Sequence, residues 1–287
     1  MRNWIGLLII SGVILLVKQC IKELFVFRTT HYIVKSPKLA GLKRERKILM
    51  LSDLHNRTYG KGNARLLKAI TDEKPDLILI AGDMLVGKSG ASFNVAASFV
   101  SELPKICPVY YGNGNHEQRM KERQWKYGDA YVRYKNMLTE KGVQFIENDK
   151  VDIWWDQAPV EIRAIEIPYK YYKKKNRMNC HEVSECIGEV DSDKYQILIA
   201  HNPGHFEAYR QWGADLILSG HLHGGMIRIP KIGGVLTTQG TLFPKYSGEL
   251  TKHGDSVLIV GKGLGTHTIH IRLFNRPEIV AIHLSDR

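Results

Sequence analysis

Five apolar stretches of this 287-residue chain end in the same way. Each runs into one or two small or polar residues and then into a side chain that can bind a metal ion. The clearest case is the apolar run 216–218, which is followed by SGHLHGG (219–225). At a strand end followed by glycines, both imidazoles can turn toward one point, because glycine leaves the backbone free to bend. This segment therefore indicates a metal ion or an anion at the end of a sheet.

The other four junctions repeat this layout after the apolar runs of LMLSDLH, LIAGD, YYGNGNH and LIAH. The metal-capable side chains at the five ends are Asp53, His55, Asp83, Asn115, His116, His201, His221 and His223. Because ligands of α/β sheets gather outside the carboxyl ends of the strands, we expect the five junctions to share one edge. A mixture of carboxylate, amide and imidazole donors suits Mn, Fe, Zn or Ni better than Ca or Mg alone. Seven of these eight side chains, taken as ligands, are too many for one tetrahedral ion and are enough for two ions that share a carboxylate.

The order of strand-like and helix-like stretches predicts an α/β layered protein. Buried-strand patterns at 47–53, 76–83, 108–112, 195–200 and 214–219 alternate with helical spacing of apolar residues at 63–73, 93–103 and about 128–141. Alternation of this kind is typical of layered α/β architectures. Two late strands, SVLIVGKG (256–263) and EIVAIHL (278–284), are predicted to belong to a second sheet.

The N-terminus predicts a membrane anchor. Residues 4–17 carry no charge, and apolar residues continue to Phe27 between Lys18, Lys22 and Glu23. The uncharged stretch is shorter than the roughly 20 residues of a typical spanning helix, but no small-x-small cleavage site follows it. We therefore predict an uncleaved anchor at 1–28, a basic connector at 29–46 and one catalytic domain at 47–287. A buried N-terminal helix is the alternative.

Positive charge is concentrated near that anchor. Residues 1–47 contain ten Lys or Arg and two Glu, a net charge of +8, whereas the other 240 residues carry only +4. Basic residues follow the anchor, which favours a cytoplasmic catalytic domain, with the outward orientation left open. Such a flank would also hold anionic lipid head groups. Nucleic-acid binding is not expected, because the catalytic part has no basic stripe with interleaved aromatic residues.

The motifs DLH, GDM, GNHE, AHNP and GHLHGG, in this order, resemble the signature of calcineurin-like metallophosphoesterases over residues 45–285. GHLHGGMIRIP, LFPKYSGE and GLGTHTIHIRLFNRPE further resemble the membrane-associated bacterial branch of that family, whose characterised members are phosphodiesterases or phosphatases. The resemblance implies a four-layer sandwich of two mixed β-sheets flanked by helices. One departure is visible: many relatives carry an acidic residue shortly after the GD pair, where this chain has MLVG (84–87).

The resemblance also implies a role for each motif position. The first ion would be held by Asp53, His55 and His223, and the second by Asn115, His201 and His221, with Asp83 bridging the two. His116 would act on the phosphoryl group or the leaving oxygen. Asn56 and Arg57, just beyond DLH, are candidates for substrate contacts, with an ordinary surface role as the alternative.

The predicted function is that of a dinuclear metal-dependent phosphodiesterase or pyrophosphatase. In it, a hydroxide held between the two ions would attack a membrane- or envelope-associated phosphate ester, with a lipid-linked substrate as one option. The alternatives are a phosphomonoesterase or nucleotide hydrolase on soluble substrates and, third, a non-catalytic metal-bearing scaffold. The basic segment 170–182 is either a solvated loop or a basic rim over the phosphate site. The four cysteines form no recognisable framework.

Overall fold

Two six-stranded sheets form the protein, as seen in a computed structural model that describes residues 2–172, 176–229, 231–237, 240–266 and 269–286. In chain order, the strands are β1 (Arg28–Lys35), β2 (Arg46–Leu51), β3 (Leu77–Ala81), β4 (Val109–Gly112), β5 (Val143–Ile146), β6 (Asp149–Trp155), β7 (Ala158–Ile165), β8 (Tyr195–Ala200), β9 (Leu216–Ser219), β10 (Ile227–Ile229), β11 (Gly233–Leu236), β12 (Glu249–His253), β13 (Ser256–Val260) and β14 (Glu278–Ser285). The α-helices are α1 (Arg2–Phe25), α2 (Ala64–Glu73), α3 (Asn94–Val100), α4 (Asn115–Glu122), α5 (Gln124–Tyr127), α6 (Ala130–Thr139), α7 (Cys180–Ile187) and α8 (Phe206–Trp212).

Both sheets are mixed, and each contains four consecutive parallel strands. The first has the order β1-β14-β2-β3-β4-β5, in which β2 to β5 run parallel and β14 runs antiparallel to β2. The second has the order β12-β13-β9-β8-β7-β6, in which β13, β9, β8 and β7 run parallel between antiparallel edge strands. The central strands β3 and β8 are buried at every position, as their largely apolar sequences predict, with Gln196 in β8 as the polar exception. A short hairpin, β10 and β11, lies outside both sheets.

Three hydrophobic clusters separate four layers. The middle cluster joins the facing sides of the two sheets, with Leu79 and Ile282 from the first and Ile197 and Leu218 from the second. The other two clusters pack α2, α3 and α6 on the outer face of the first sheet, and α7 and α8 on that of the second. The predicted four-layer sandwich of two mixed sheets flanked by helices is therefore confirmed.

Two details differ from the sequence prediction. The segment EIVAIHL forms β14, which lies in the first sheet between β1 and β2 and not in the second sheet. A period-two apolar pattern identifies a strand but carries no information on which sheet it joins, so the assignment was wrong. The segment 29–46 was predicted as a connector. It contains most of β1, which pairs with β14 over eight residues.

Helix α1 projects from the two-sheet domain, and most of its apolar side chains are exposed. Over Trp4–Phe25 its mean hydropathy is 2.2, and by length and composition it is able to cross a membrane. Its last turn is attached to the domain: Arg57 donates to Leu24 O at 2.6 Å, and the Glu23 carboxylate accepts the Asn275 backbone N–H at 2.7 Å. The end of the apolar helix therefore has a fixed position on the folded domain.

Candidate metal centre

The carboxyl ends of β2, β3, β4, β8 and β9 meet at one edge, where the two sheets face each other. Asp53 and His55 follow β2, and Asp83 follows β3. Asn115 and His116 begin α4 after β4, His201 follows β8, and His221 and His223 follow β9. Apart from Asn115 and His221, which are partly buried, all of these residues are buried. The shared edge that the five junctions predict is present.

The first group of donors is formed by Asp53, His55 and His223. Nε2 of His55 lies 3.2 Å from Nε2 of His223, and Oδ1 of Asp53 lies 3.5 Å from that same His223 nitrogen. The distance from Asp53 Oδ1 to His55 Nε2 is 4.0 Å. Three donor atoms at these separations can contact one ion placed between them.

A second group is formed by Asp83, His201 and His221. Oδ2 of Asp83 lies 3.1 Å from His201 Nε2, and 3.9 Å from His55 Nε2 of the first group. Asp83 therefore lies between the two groups. The same Oδ2 lies 3.9 Å from Nε2 of His116, so His55, Asp83 and His116 form a third set within reach of one ion.

The backbone at these residues adopts a conformation that L-amino acids rarely use. Positive φ angles occur at Asp53 (51°), His55 (46°), Asp83 (57°), His221 (71°) and His223 (51°). Asp and His tolerate the left-handed region better than most residues, but each such residue costs of order 1 kcal/mol. Five of them within one site indicate a backbone shaped to aim side chains.

Two glycines make room for the carboxylates. A Cβ atom on Gly220 would lie 2.2 Å from Oδ2 of Asp53, and one on Gly114 would lie 2.2 Å from Oδ1 of Asp83. Real Cβ atoms do not approach oxygen so closely. The glycines of the motifs GHLHGG and GNHE thus let neighbouring loops pass directly over the two acidic groups.

The hydrogen bonds of the imidazoles separate His116 from the other histidines. Nδ1 of His201 lies 2.6 Å from Ala81 O, and Nδ1 of His223 lies 3.2 Å from Gly265 O. A ring nitrogen facing a carbonyl carries the proton, so Nε2 of both rings has a free lone pair. His116 is the reverse: its Nδ1 accepts the Gly87 backbone N–H at 2.7 Å, so in the neutral ring the proton is on Nε2. In these tautomers His201 and His223 present a lone pair at Nε2, and His116 presents an N–H there.

The electrostatics of the cluster favour cations. Burial raises the pKa of Asp53, whereas the nearby histidines, His201 first, outweigh burial and hold the pKa of Asp83 well below its ordinary value. Burial lowers the pKa of His223 to about 3, so its ring is neutral near pH 7. Burial also acts to lower the pKa of His201, but Asp83 overcomes it and raises that pKa to about 10; a metal ion would compete with that proton for Nε2. Two buried carboxylates require positive charge nearby, which the proton of His201 or a bound cation would supply.

An unsatisfied oxygen supports the same conclusion. Within the described ranges, the buried Oδ1 of Asn115 has no hydrogen-bond partner. Its chain neighbours both border Asp83, since His116 N–H donates to Asp83 Oδ1 at 2.8 Å and Gly114 lies against that carboxylate. A buried amide oxygen without a donor is rare, and a cation would satisfy it. The residues present therefore fit divalent metal ions.

Two supporting residues were missed from the sequence. Glu117 is fully buried, and its carboxylate accepts the backbone N–H groups of Asp83 and Met84, both at 2.9 Å, and the hydroxyl of Tyr111 at 2.8 Å. It fixes the turn that carries Asp83. Burial and the charge of Asp83 raise the pKa of Glu117 to about 7.

The second missed residue, Asn275, supports the loop with the two histidines. Its side-chain amide donates to His223 O at 2.7 Å and also to Gly225 O. Its position in the motif FNRPE was visible in the sequence, but a contact over 52 residues has no local signature.

The two tentative substrate contacts have partners elsewhere. Asn56 donates to Ser92 O at 2.9 Å, and the Arg57 guanidinium lies over the Phe25 ring at 4.6 Å in addition to its bond with Leu24 O. Their contact with substrate stays a prediction. The segment 170–182 is partly ordered into a 3₁₀ turn at Tyr169–Tyr172 and the start of α7, and the Tyr172 ring packs on His221 at 5.2 Å. The lysines expected to form a basic rim, 173–175, lie outside the described residues.

The two-sheet sandwich has buried histidines and aspartates at its strand ends, so fold and site are those of an α/β protein able to hold metal ions. Comparison with known families agrees: the calcineurin-like phosphoesterase family matches residues 46–225. The chain belongs to this family and is a metal-dependent phosphoric ester hydrolase.

Similar proteins carry names consistent with that family. An uncharacterised metallophosphoesterase of Bacillus subtilis strain 168, YkoQ, is 29% identical over 244 residues, covering 83% of this chain and 84% of that protein. The phosphodiesterase YaeI of Escherichia coli K12 is 26% identical over 247 residues, covering 83% and 82%. Among solved structures, the phosphopantetheinyl hydrolase PptH of Mycobacterium tuberculosis aligns with a TM-score of 0.50 at 16% identity, covering 76% of this chain and 89% of that one, and so supports the fold alone.

Proposed function

We propose that this protein is a dinuclear metal-dependent phosphodiesterase or pyrophosphatase that acts on a membrane- or envelope-associated phosphate ester. The observation that carries the proposal is the opposite hydrogen bonding of His116 and its neighbours. His201 and His223 have Nε2 lone pairs facing carboxylates, whereas His116 has an N–H on that nitrogen at the same cluster. One site thus combines ligands for cations with a separate proton donor.

The ligands are proposed to divide between two ions. Asp53, His55 and His223 would hold the first, and Asn115, His201 and His221 would hold the second. Asp83 would bridge the ions, since its carboxylate lies 3.1 Å from His201 and 3.9 Å from His55. Mn, Fe, Zn or Ni suits this mixture of oxygen and nitrogen donors, and metal analysis of the purified full chain tests which is bound.

Two bound cations would supply a water of lowered pKa and positive charge for the phosphoryl oxygens. The proton for the leaving oxygen would come from a side chain of the protein. Gly87 N–H fixes the His116 ring and its tautomer, and the proton on Nε2 is proposed to pass to a leaving oxygen or to bond to a phosphoryl oxygen. The buried Glu117 keeps the Asp83 turn in place through three backbone and side-chain donors.

A diester substrate is favoured by the similarity to the phosphodiesterase YaeI. The test compares hydrolysis of bis(4-nitrophenyl) phosphate and 4-nitrophenyl phosphate by the full chain with added Mn²⁺. Faster cleavage of the diester supports the proposal, and faster cleavage of the monoester refutes it in favour of a phosphomonoesterase. Asp83→Asn is the control for contaminating activity, because it removes the carboxylate shared by the two donor groups.

The apolar helix α1 is proposed to anchor the enzyme in a membrane, with the catalytic domain on the cytoplasmic face. Its support is an exposed apolar rod of 22 residues followed by a basic flank. Anchoring raises the rate of encounter with substrates at the bilayer surface. Protease treatment of sealed inside-out vesicles tests the orientation: digestion of the domain is expected, and protection would reverse the assignment.

A further inference from the structure

A second polar cavity, of about 370 Å³, lies beside the end of helix α1. Its wall is unusually rich in positive charge. It contains the cations Arg28, Arg228, Lys231, Lys262 and Arg276. The acidic residues in the wall are Glu23 and Glu249, and no residue of the metal centre is among the described residues that line it.

Most of these charges are already paired. Arg228 forms an ion pair with Glu249, and Lys262 contacts the buried carboxylate of Glu278 at 3.0 Å. Arg28 also reaches Glu278, at 3.6 Å. The Glu23 carboxylate accepts hydrogen bonds from the side chain of Gln19 and the backbone of Asn275.

Two cations are left over. Within the described part of the chain, neither Lys231 nor Arg276 forms an ion pair, although each lines the cavity. With Glu278 included, five cations face three carboxylates, so the cavity carries an excess of two positive charges. Two further cations, Arg228 and Lys262, are buried there. Buried positive charge with unpaired cations at the rim matches a phosphate group, which accepts several charge-assisted hydrogen bonds at once.

The position of the cavity indicates where its phosphate comes from. Glu23, in its wall, is in the last turn of α1, next to the end of the apolar stretch Trp4–Phe25. Two exposed apolar side chains, Ile229 and Phe274, also line the cavity. With α1 spanning a membrane, as proposed above, this cationic cavity with its apolar rim would lie near the lipid head groups, where basic residues attract anionic lipids.

Hydrogen bonds link the wall of the cavity to the loop that carries His223 of the metal centre. Arg228, in its wall, donates to Gly224 O at 2.8 Å, and Gly224 directly follows His223. Asn275 joins Glu23 to the same loop, because its backbone N–H donates to Glu23 and its side chain donates to His223 O. A ligand in the cavity would therefore touch residues that support one of the proposed metal ligands.

We propose that this cavity binds the phosphate of an anionic phospholipid head group, at a site separate from the metal centre. The phosphate chemistry follows from the charges of the cavity, and the lipid as its source rests on the proposed membrane anchor α1. Lys231 and Arg276 would contact the phosphate from the rim, and Arg228 and Lys262 would contribute positive charge from below.

The test is native mass spectrometry of the full chain in a non-ionic detergent, with phosphatidylglycerol or phosphatidylcholine added. The parent protein is expected to retain one phosphatidylglycerol and little phosphatidylcholine. The double variant Lys231→Gln/Arg276→Gln should bind phosphatidylglycerol about ten-fold to thirty-fold more weakly, because two cations near an anionic group are lost. Lys231→Arg/Arg276→Lys retains both charges and should bind as the parent does.

A matched control is Lys74→Gln/Lys141→Gln. It removes two exposed cations that precede β3 and β5, at the amino ends of these parallel strands. It should retain phosphatidylglycerol. Displacement of the lipid by millimolar inorganic phosphate would assign the cavity to free phosphate as well as to lipid, and resistance would assign it to lipid alone.

Equal retention of phosphatidylglycerol by the parent and by Lys231→Gln/Arg276→Gln would overturn the proposal. Equal retention of phosphatidylcholine and phosphatidylglycerol by the parent would do the same. Because binding is measured without turnover, a chain that retains the lipid but cleaves no diester would refute the proposed function and leave this site standing.

Discussion

Replacement of His116 by Asn separates proton donation from metal binding. The Oδ1 of an asparagine can accept the Gly87 N–H that His116 Nδ1 accepts at 2.7 Å, so the turn around Asp83 keeps its shape. The shorter side chain cannot bring an N–H to the position of His116 Nε2, which lies 3.9 Å from Asp83 Oδ2. Loss of a general acid costs about 100-fold to 10,000-fold in rate, or about 3 to 5 kcal/mol of transition-state stabilisation.

The assay compares two leaving groups and measures metal content in the same samples. Diesters with alkyl leaving groups should show the full defect in His116→Asn, because an alkoxide needs a proton as it departs. Nitrophenyl diesters should show a smaller defect, because nitrophenolate leaves without one. The metal content of His116→Asn should equal that of the parent, whereas Asp83→Asn should lose metal and activity together. Loss of metal from His116→Asn, or equal defects for both leaving groups, would refute the assigned role.

Three further changes have defined outcomes. Gly220→Ala should lower metal affinity at least about 100-fold, because its Cβ would lie 2.2 Å from Asp53 Oδ2, whereas Gly12→Ala in open space should not; metal titration measures both. Glu117→Gln should cost about 2 to 4 kcal/mol in the free energy of unfolding, because its amide group places a donor against backbone N–H donors; urea unfolding measures it, and an unchanged midpoint would contradict the contacts. Burial lowers the pKa of His205 from 6.5 to about 4. Between these two pH values the unfolded chain binds a proton that the folded chain lacks, so the free energy of unfolding decreases as the pH is lowered. The loss between pH 7 and pH 5 should be about 2 kcal/mol larger in the parent than in His205→Gln, and identical pH profiles would contradict it.

The sequence predicted the strands and the metal-capable side chains that follow them, because both appear as short local motifs. Apolar runs followed by DLH, GD, GNH, AH and GHLH predicted both the strands and the side chains at their ends, because parallel strands present their carboxyl ends together. Strand β3, buried on both faces, is a continuous apolar run, and β8 is apolar apart from Gln196, as expected for the centre of a parallel sheet.

What the sequence could not predict depends on contacts between distant segments. Nothing in EIVAIHL specifies that β14 enters the first sheet, since its partners β1 and β2 are more than 220 residues away. The support of His223 by Asn275, and the tautomer of His116 set by Gly87, depend on loops that meet only in the folded protein.

The insertion of β14 between β1 and β2 makes the first sheet dependent on a strand that is synthesised more than 220 residues after its two partners. Until residue 285 has been synthesised, β1 has no neighbour, because β14 is its partner in the sheet and separates it from β2. Strand pairing over so large a sequence separation is slow and exposes unpaired edges in the meantime. In a nascent chain, β1 would thus stay unpaired while β2 to β13 are synthesised, and the first sheet would be completed only when β14 enters between β1 and β2.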